Sequence, residues 1–275
     1  MPRPVDPIER AHLLDRDGFS PPIHRFAPAP ELSDLVRRYW LPVWHLPEGQ
    51  VSVQRVLQYP VCLVVVSDDY ARLVGPGTGL STRELRKSGW AVGAMLQPAA
   101  GWLLTGEPVS CLTDTHVDLV RVPGLDGARL AEGIDAAMRP DPNDAEARRH
   151  SVELLEEALA TLPPVDEEGL LVNAVVEYVE GDTGVLRVGQ VVEKFGLSER
   201  TLQRLCARRI GLSPKWLIQR RRLHEAAERL ATPEPPDLAR VAAELGYADQ
   251  AHFTRDFRTV TGLTPGEFAA EPRPS

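Results

Sequence analysis

The sequence predicts an α+β chain of two domains: an N-terminal antiparallel β barrel or sandwich with short helices, then an all-α domain holding two helix-turn-helix units joined by a long helix. Three observations predict it. The 275-residue length exceeds what one small core needs. Short apolar runs separated by turn residues fill the first half and disappear after Leu125. A weak duplication about fifty positions apart occupies the last hundred residues.

Residues 1–25 are a proline-rich lead, and the β domain follows at 26–125. Val51–Leu57, Val61–Ser67, Ala71–Gly75 and Gly89–Leu96 have the length and flanking turns of strands, and Thr115–Val122 supplies the last one. Between them, Pro98–Gly106 reads as a brief helix with proline at its first turn and glycine at its end. Residues 126–163 form a helical connection, with helices over Gly127–Met138 and Ala145–Leu162 separated by Pro140–Asn143. Residues 164–275 form the helical domain, with breaks near 181–184, 196, 211, 233–236, 246 and 262.

In the duplication, VGQVVEKFGLSERTLQR (188–204) followed by GLSP (211–214) matches LARVAAELGYADQAHFTR (238–255) followed by GLTP (262–265). Each copy reads helix, glycine turn, helix. Gly196 and Gly246 suit left-handed helix ends, while Ser198 and Asp249 suit the caps of the helices that follow. On the first of those second helices Leu202 and Leu205 face the core with Cys206 beside them. On the other, Phe253 and Phe257 form the buried stripe. Between the copies, Pro214 begins a long helix that Ser213 can cap and whose apolar contacts come from Trp216, Leu217, Leu223, Ala226 and Leu230.

Composition narrows the functional classes. With 43% hydrophobic and 25% charged residues and no continuous apolar run of membrane-spanning length, the expectation is a soluble chain without a membrane span or export signal. Cys62, Cys111 and Cys206 make no disulfide framework, which fits the cytoplasm. The net charge of −8 conceals a local field: Arg187 to Arg222 holds ten basic and two acidic residues, a footprint suited to phosphate. There is no P-loop, HExxH or GxSxG motif, so no enzymatic activity and no cofactor are expected. His24, His45 and His116 lack metal-ligand spacing, and no metal is expected.

A helix fits the major groove, where arginine donates two hydrogen bonds to guanine and glutamine pairs with adenine. Arg200, Gln203 and Arg204, with Thr201 alongside, are the base-reading candidates of the first unit; Gln250, His252, Thr254 and Arg255 are those of the second. Trp44, Tyr59, Trp90, Met95 and Trp102 are candidates for an apolar ligand pocket, their ordinary alternative being to fill the β-domain core.

The duplicated region resembles the AraC/XylS family of bacterial transcription regulators over about 165–270, most specifically in GYADQAHFTRDFRTVTGLTPGEF at 246–268. Cys206 departs from the aromatic residue common at that place in the family. Residues 26–125 are similar to the small cupin-like domains of a subset of these regulators, through YWLPVW (39–44), LVGPG (73–77) and GAMLQPAAGWLLTGEPVSCLTD (93–114). The resemblance implies sequence-specific binding to double-stranded promoter DNA and control of transcription. It further implies an N-terminal part that senses a small-molecule effector or forms a homodimer, and control through promoter occupancy or through contact with RNA polymerase, as an activator or a repressor. A helical protein-interaction or scaffold module without DNA readout stays open at this point.

Overall fold

A computed structural model describes residues 12–13, 19–57, 59–232 and 237–270. Its strands are β1 (His12–Leu13), β2 (Ile23–Phe26), β3 (Val36–His45), β4 (Val51–Leu57), β5 (Leu63–Ser67), β6 (Ala71–Val74), β7 (Leu80–Arg86), β8 (Ser88–Leu96) and β9 (His116–Asp118). They form two antiparallel sheets, one ordered β1-β4-β7 and the other β2-β3-β8-β5-β6-β9. The helices are α1 (Ala100–Thr105), α2 (Gly127–Met138), α3 (Ala145–Leu159), α4 (Glu167–Gly181), α5 (Val188–Phe195), α6 (Glu199–Arg209), α7 (Pro214–Leu230), α8 (Leu238–Glu244), α9 (Gln250–Thr261) and α10 (Pro265–Ala269).

The six-stranded sheet is buried on both faces, which explains why its central strands read as nearly unbroken apolar runs. One face carries Tyr39, Leu41, Val64, Val66, Val92 and Leu96. It packs on α1, α2 and α3 through residues such as Leu104, Ile134, Met138 and Leu155. The connection at 126–163 is therefore a structural layer on the sheet. On the other face Trp44, Val65 and Ala91 meet Leu85 of the smaller sheet. The rest of the β-domain's apolar surface, at Leu57, Tyr59, Val61 and Met95, is covered by α7 to α10.

Four strands have no counterpart in the sequence reading. β1 lies in the proline-rich lead and β2 at its end, and β3 contains Pro42, which argues against a central strand because proline has no N–H to donate. The structure accommodates it where the register to β8 passes from Trp40–Gly93 to Val43–Trp90 without pairing Pro42. β7 (LSTRELR) buries only Leu85 and so has no apolar period to detect. The expected last strand over Thr115–Val122 is shorter. β9 ends at Asp118, and the chain turns through a 3-10 helix at Leu119–Arg121. That turn sends the fully buried Leu119 beneath the start of α2. Pro98 lies just before the cap of α1 rather than in its first turn, and the second connecting helix stops at Leu159 instead of Leu162. The break expected at 233–236 lies outside the described residues.

Cys206 is fully buried among the valines of α4 and the apolar face of α6, and Cys62 is buried under the sheet. Burial pushes both thiols up to about 12, whereas Cys111 is exposed. Thiolate is the reactive form, so at pH 7.5 a thiol reagent counted by mass spectrometry modifies Cys111 in the native protein, and Cys62 and Cys206 only after denaturation.

Candidate nucleic-acid interface

Both repeated units have the same local construction. Gly196 and Gly246 carry φ of 62° and 73°, the left-handed turns that let the chain leave α5 and α8. Ser198 Oγ accepts the N–H of Thr201 at 3.1 Å to start α6, and Asp249 Oδ1 accepts that of His252 at 2.7 Å to start α9. Ser213 caps α7 by accepting the N–H of Trp216 at 3.1 Å. Each second helix then buries one side. Leu202, Leu205 and Cys206 pack against α4, while Phe253 and Phe257 join Tyr247 and Phe268 in an edge-to-face cluster with ring centroids 5.3 to 5.6 Å apart.

The opposite side of each helix is exposed. Arg200, Gln203 and Arg204 stand out from α6, and Gln250 and Arg255 from α9, with Thr201 and Thr254 half-buried at the margins. The side chains of Arg200, Arg204 and Arg255 form no hydrogen bond or ion pair with any described residue. Gln203 donates to Glu199 at 3.2 Å, and Thr201 Oγ1 lies 2.8 Å from the capping hydroxyl of Ser198. His252 behaves differently: its ring meets Tyr247 edge-on at 5.2 Å and its Nε2 lies 3.6 Å from Asp256 Oδ2. Arg258, three residues beyond Arg255 and also exposed, extends the basic side of α9. The i, i+3 spacing in the sequence carried that signal.

The ten basic residues between Arg187 and Arg222 divide in two. Arg187, Lys194, Arg200, Arg204 and Lys215 are exposed. The others are engaged by the protein: Arg220 is buried, with its pKa pushed down to about 9 by desolvation, Arg221 is buried and paired with Glu225 at 2.9 Å, and half-buried Arg222 covers the ring of Tyr247. Arg208 and Arg209 close a junction with the N-terminal part. Arg209, only 3% exposed, bonds Asp166 and lies 2.9 Å from Glu168, and Arg208 also pairs with Glu168. Both guanidinium groups lie over Trp102 of α1, at 5.2 and 5.3 Å from the ring. Burial opposes ionisation of Asp166, yet the bonds from Arg209 and the backbone of Gly169 outweigh it and hold the carboxyl below its ordinary value.

Trp102 is thus a platform for the end of α6. The other four pocket candidates are also dispersed: Trp44 lies between the sheets, Trp90 under the helices, and Tyr59 and Met95 against the second unit, where Tyr59 meets His224 at 4.9 Å. His24, His45 and His116 lie on β2, β3 and β9. Among the described residues no group of three His, Cys, Asp or Glu side chains is placed to hold a metal ion. No described helix is long and apolar enough to cross a membrane.

Other ties fasten the β domain to the helices. Thr113 donates to Gly211 O at 2.7 Å, Arg37 meets Glu180 at 2.8 Å, and Asn173 bridges Ala99 N and Asp34 O, both at 3.0 Å.

The family described as "Helix-turn-helix domain" matches residues 191–271, and that described as "Domain of unknown function (DUF6597)" matches 24–118. Over 77 residues the chain is 31% identical to the HTH-type transcriptional activator RhaS of Pectobacterium carotovorum and 34% identical to RhaS of Escherichia fergusonii. Each alignment covers 28% of this chain and 27% of the relative, so the chain spans about a quarter of the length of the curated relatives it matches. Among solved structures, the C-terminal domain of AraT from Geobacillus stearothermophilus is 24% identical, covering 40% of this chain and 92% of that one at a TM-score of 0.35. ToxT from Vibrio cholerae is 11% identical, covering 92% and 98% at 0.41.

Gly211 has φ of 82°, and a Cβ there would lie 2.8 Å from both Val109 O and Thr113 Oγ1; at Gly262, with φ of 77°, a Cβ meets open space. Alanine at 262 loses only the left-handed backbone preference, about 1–2 kcal/mol. Alanine at 211 also has to break the approach to the β domain. In urea unfolding, Gly211→Ala lowers stability more than Gly262→Ala; equal losses contradict the docking. Arg209→Ala costs roughly 2 kcal/mol in the same measurement, below a fully buried pair because its carboxylates keep some solvent.

Proposed function

We propose that the protein is a transcription regulator of the AraC/XylS family that binds specific promoter sequences, its C-terminal helices matching a helix-turn-helix family over residues 191–271. The observation that carries the proposal is the pair of capped second helices, α6 and α9, each with an apolar side locked in its own core and exposed arginines without partners among the described residues. Free guanidinium donors on a helix that fits the major groove are suited to guanine O6 and N7, and Gln203 and Gln250 to adenine. We assign base reading to Arg200, Gln203, Arg204, Gln250, Thr254 and Arg255. Thr201 serves at the margin, and His252 is engaged with Tyr247 and, within α9, with Asp256. α7 sets the separation of the two helices, which on one face of a duplex is about 34 Å.

The N-terminal part, in this reading, regulates by how it holds the helices. Its docking on α6 through Trp102 and Gly211, and on the second unit through Tyr59 and Met95, fixes both recognition helices to one body. An effector or a second copy of the chain acts by altering those contacts, and activation follows from contact with RNA polymerase in the cytoplasm. The relatives named as activators support that sign, and the absence of turnover is part of the same assignment.

The test is affinity of the full-length protein for a duplex selected from a random library. A bidentate arginine–guanine contact discriminates by about 1–3 kcal/mol. Arg204→Ala and Arg255→Ala therefore each weaken specific binding about 5- to 150-fold with unchanged thermal unfolding, and wild-type affinity falls linearly with salt on logarithmic axes. Unchanged specific affinity in both variants refutes the assignment.

A further inference from the structure

Beside α7 the surface forms a cleft of about 330 Å³ between the two units, bounded by Arg187 before α5, by Lys215, Gln219 and Arg222 of α7, and by His252 and Asp256 of α9. Three permanent cations and a histidine converge there from three parts of the chain. The one carboxylate among them is already engaged, since Asp256 Oδ2 accepts Gln219 Nε2 at 2.8 Å and lies 3.6 Å from His252.

The cations themselves are unbalanced. Arg187 and Lys215 are exposed, and their charged groups form no ion pair with any described residue. Arg222 is held 3.8 Å above the ring of Tyr247, and its Nε and Nη2, although enclosed, have no hydrogen-bond acceptor among the described residues. Neighbouring arginines are neutralised: Arg221 and Arg229 by Glu225, and Arg229 and Arg240 by Glu244. Like charges gathered around a concavity focus positive potential into it, and arginine and lysine side chains lining one space suit the oxygens of a tetrahedral anion. We propose that this cleft binds a phosphate-class oxyanion, at a site separate from the base-reading sides of α6 and α9.

The phosphate comes either from the backbone of a duplex spanning the two units or from a free phosphorylated small molecule. The probe is inorganic phosphate, titrated calorimetrically into the full-length protein at constant ionic strength maintained with chloride. Wild type binds saturably with one phosphate per chain. The double variant Arg187→Gln/Lys215→Gln, at two exposed positions, keeps its thermal midpoint and binds at least tenfold more weakly. Asp256→Asn, which removes the only negative charge of the cleft, binds more tightly. Absence of saturable binding to wild type, or equal affinity in the double variant, overturns the proposal. Repeating the titration on the protein saturated with its selected duplex separates the sources: phosphate is excluded if the backbone occupies the cleft and binds unchanged if the ligand is a free anion. Phosphate binding by a protein that selects no duplex supports the cleft while refuting the DNA reading.

Discussion

The end of α6 is held by one buried cation. Arg209 is almost without solvent, and an ion in that position is tolerable only with its charge compensated. Asp166 and Glu168, at the cap and first turn of α4, supply the compensation, and the ring of Trp102 supplies a face for the guanidinium. Three parts of the chain thus meet at one side chain: the helix beneath the β-sheet, the first helix of the C-terminal group and the second helix of the first repeated unit. The position of α6 relative to the sheet follows from this meeting, reinforced by the close approach of Gly211 to Val109 and Thr113. The second unit is held by a different kind of contact, the apolar patch of Leu57, Tyr59, Val61 and Met95 against α7 to α10. One unit is fastened by charge and the other by apolar burial, so salt and temperature act on them unequally.

This arrangement changes the meaning of the local charge. Summed along the sequence, the segment from Arg187 to Arg222 looks like one positive field, but only half of its basic residues face solvent. Arg208, Arg209, Arg220, Arg221 and Arg222 bind carboxylates, ring faces or the interior. The electrostatic footprint that remains is smaller and more directed, with arginines on α6 and α9 and a cationic cleft between them. A protein with net charge −8 and so focused a positive surface depends on geometry for any attraction to a polyanion.

Much of the helical architecture was legible in sequence because its signals are local. Glycine turns, Ser and Asp caps and Leu or Phe stripes three or four residues apart determine the repeated units without reference to the rest of the chain, and Gly127–Met138 was read to the residue. The sheets were only partly legible. β3 hides behind Pro42, β7 has a single buried residue, and Leu119 satisfies the same apolar pattern by a turn instead of a strand. The aromatic residues were the least legible. Trp44, Tyr59, Trp90 and Trp102 share a residue class suited to a pocket, yet they fall in three different clusters that only the tertiary fold assigns. The sequence pattern showed which side of α6 and α9 is exposed. It carried no signal for Arg187 and Lys215 sharing a cleft, since that depends on how α5 and α7 cross.

The central claim is that α6 and α9, held apart by α7 and fixed by the β domain, read two successive stretches of major groove. Methylation interference at guanine N7 on a selected duplex, with full-length protein, tests it most directly because N7 lies in the major groove. The account predicts two groups of interfering guanines on one face of the duplex, about one helical turn of 10–10.5 base pairs apart. A single group, or two groups on opposite faces, contradicts it.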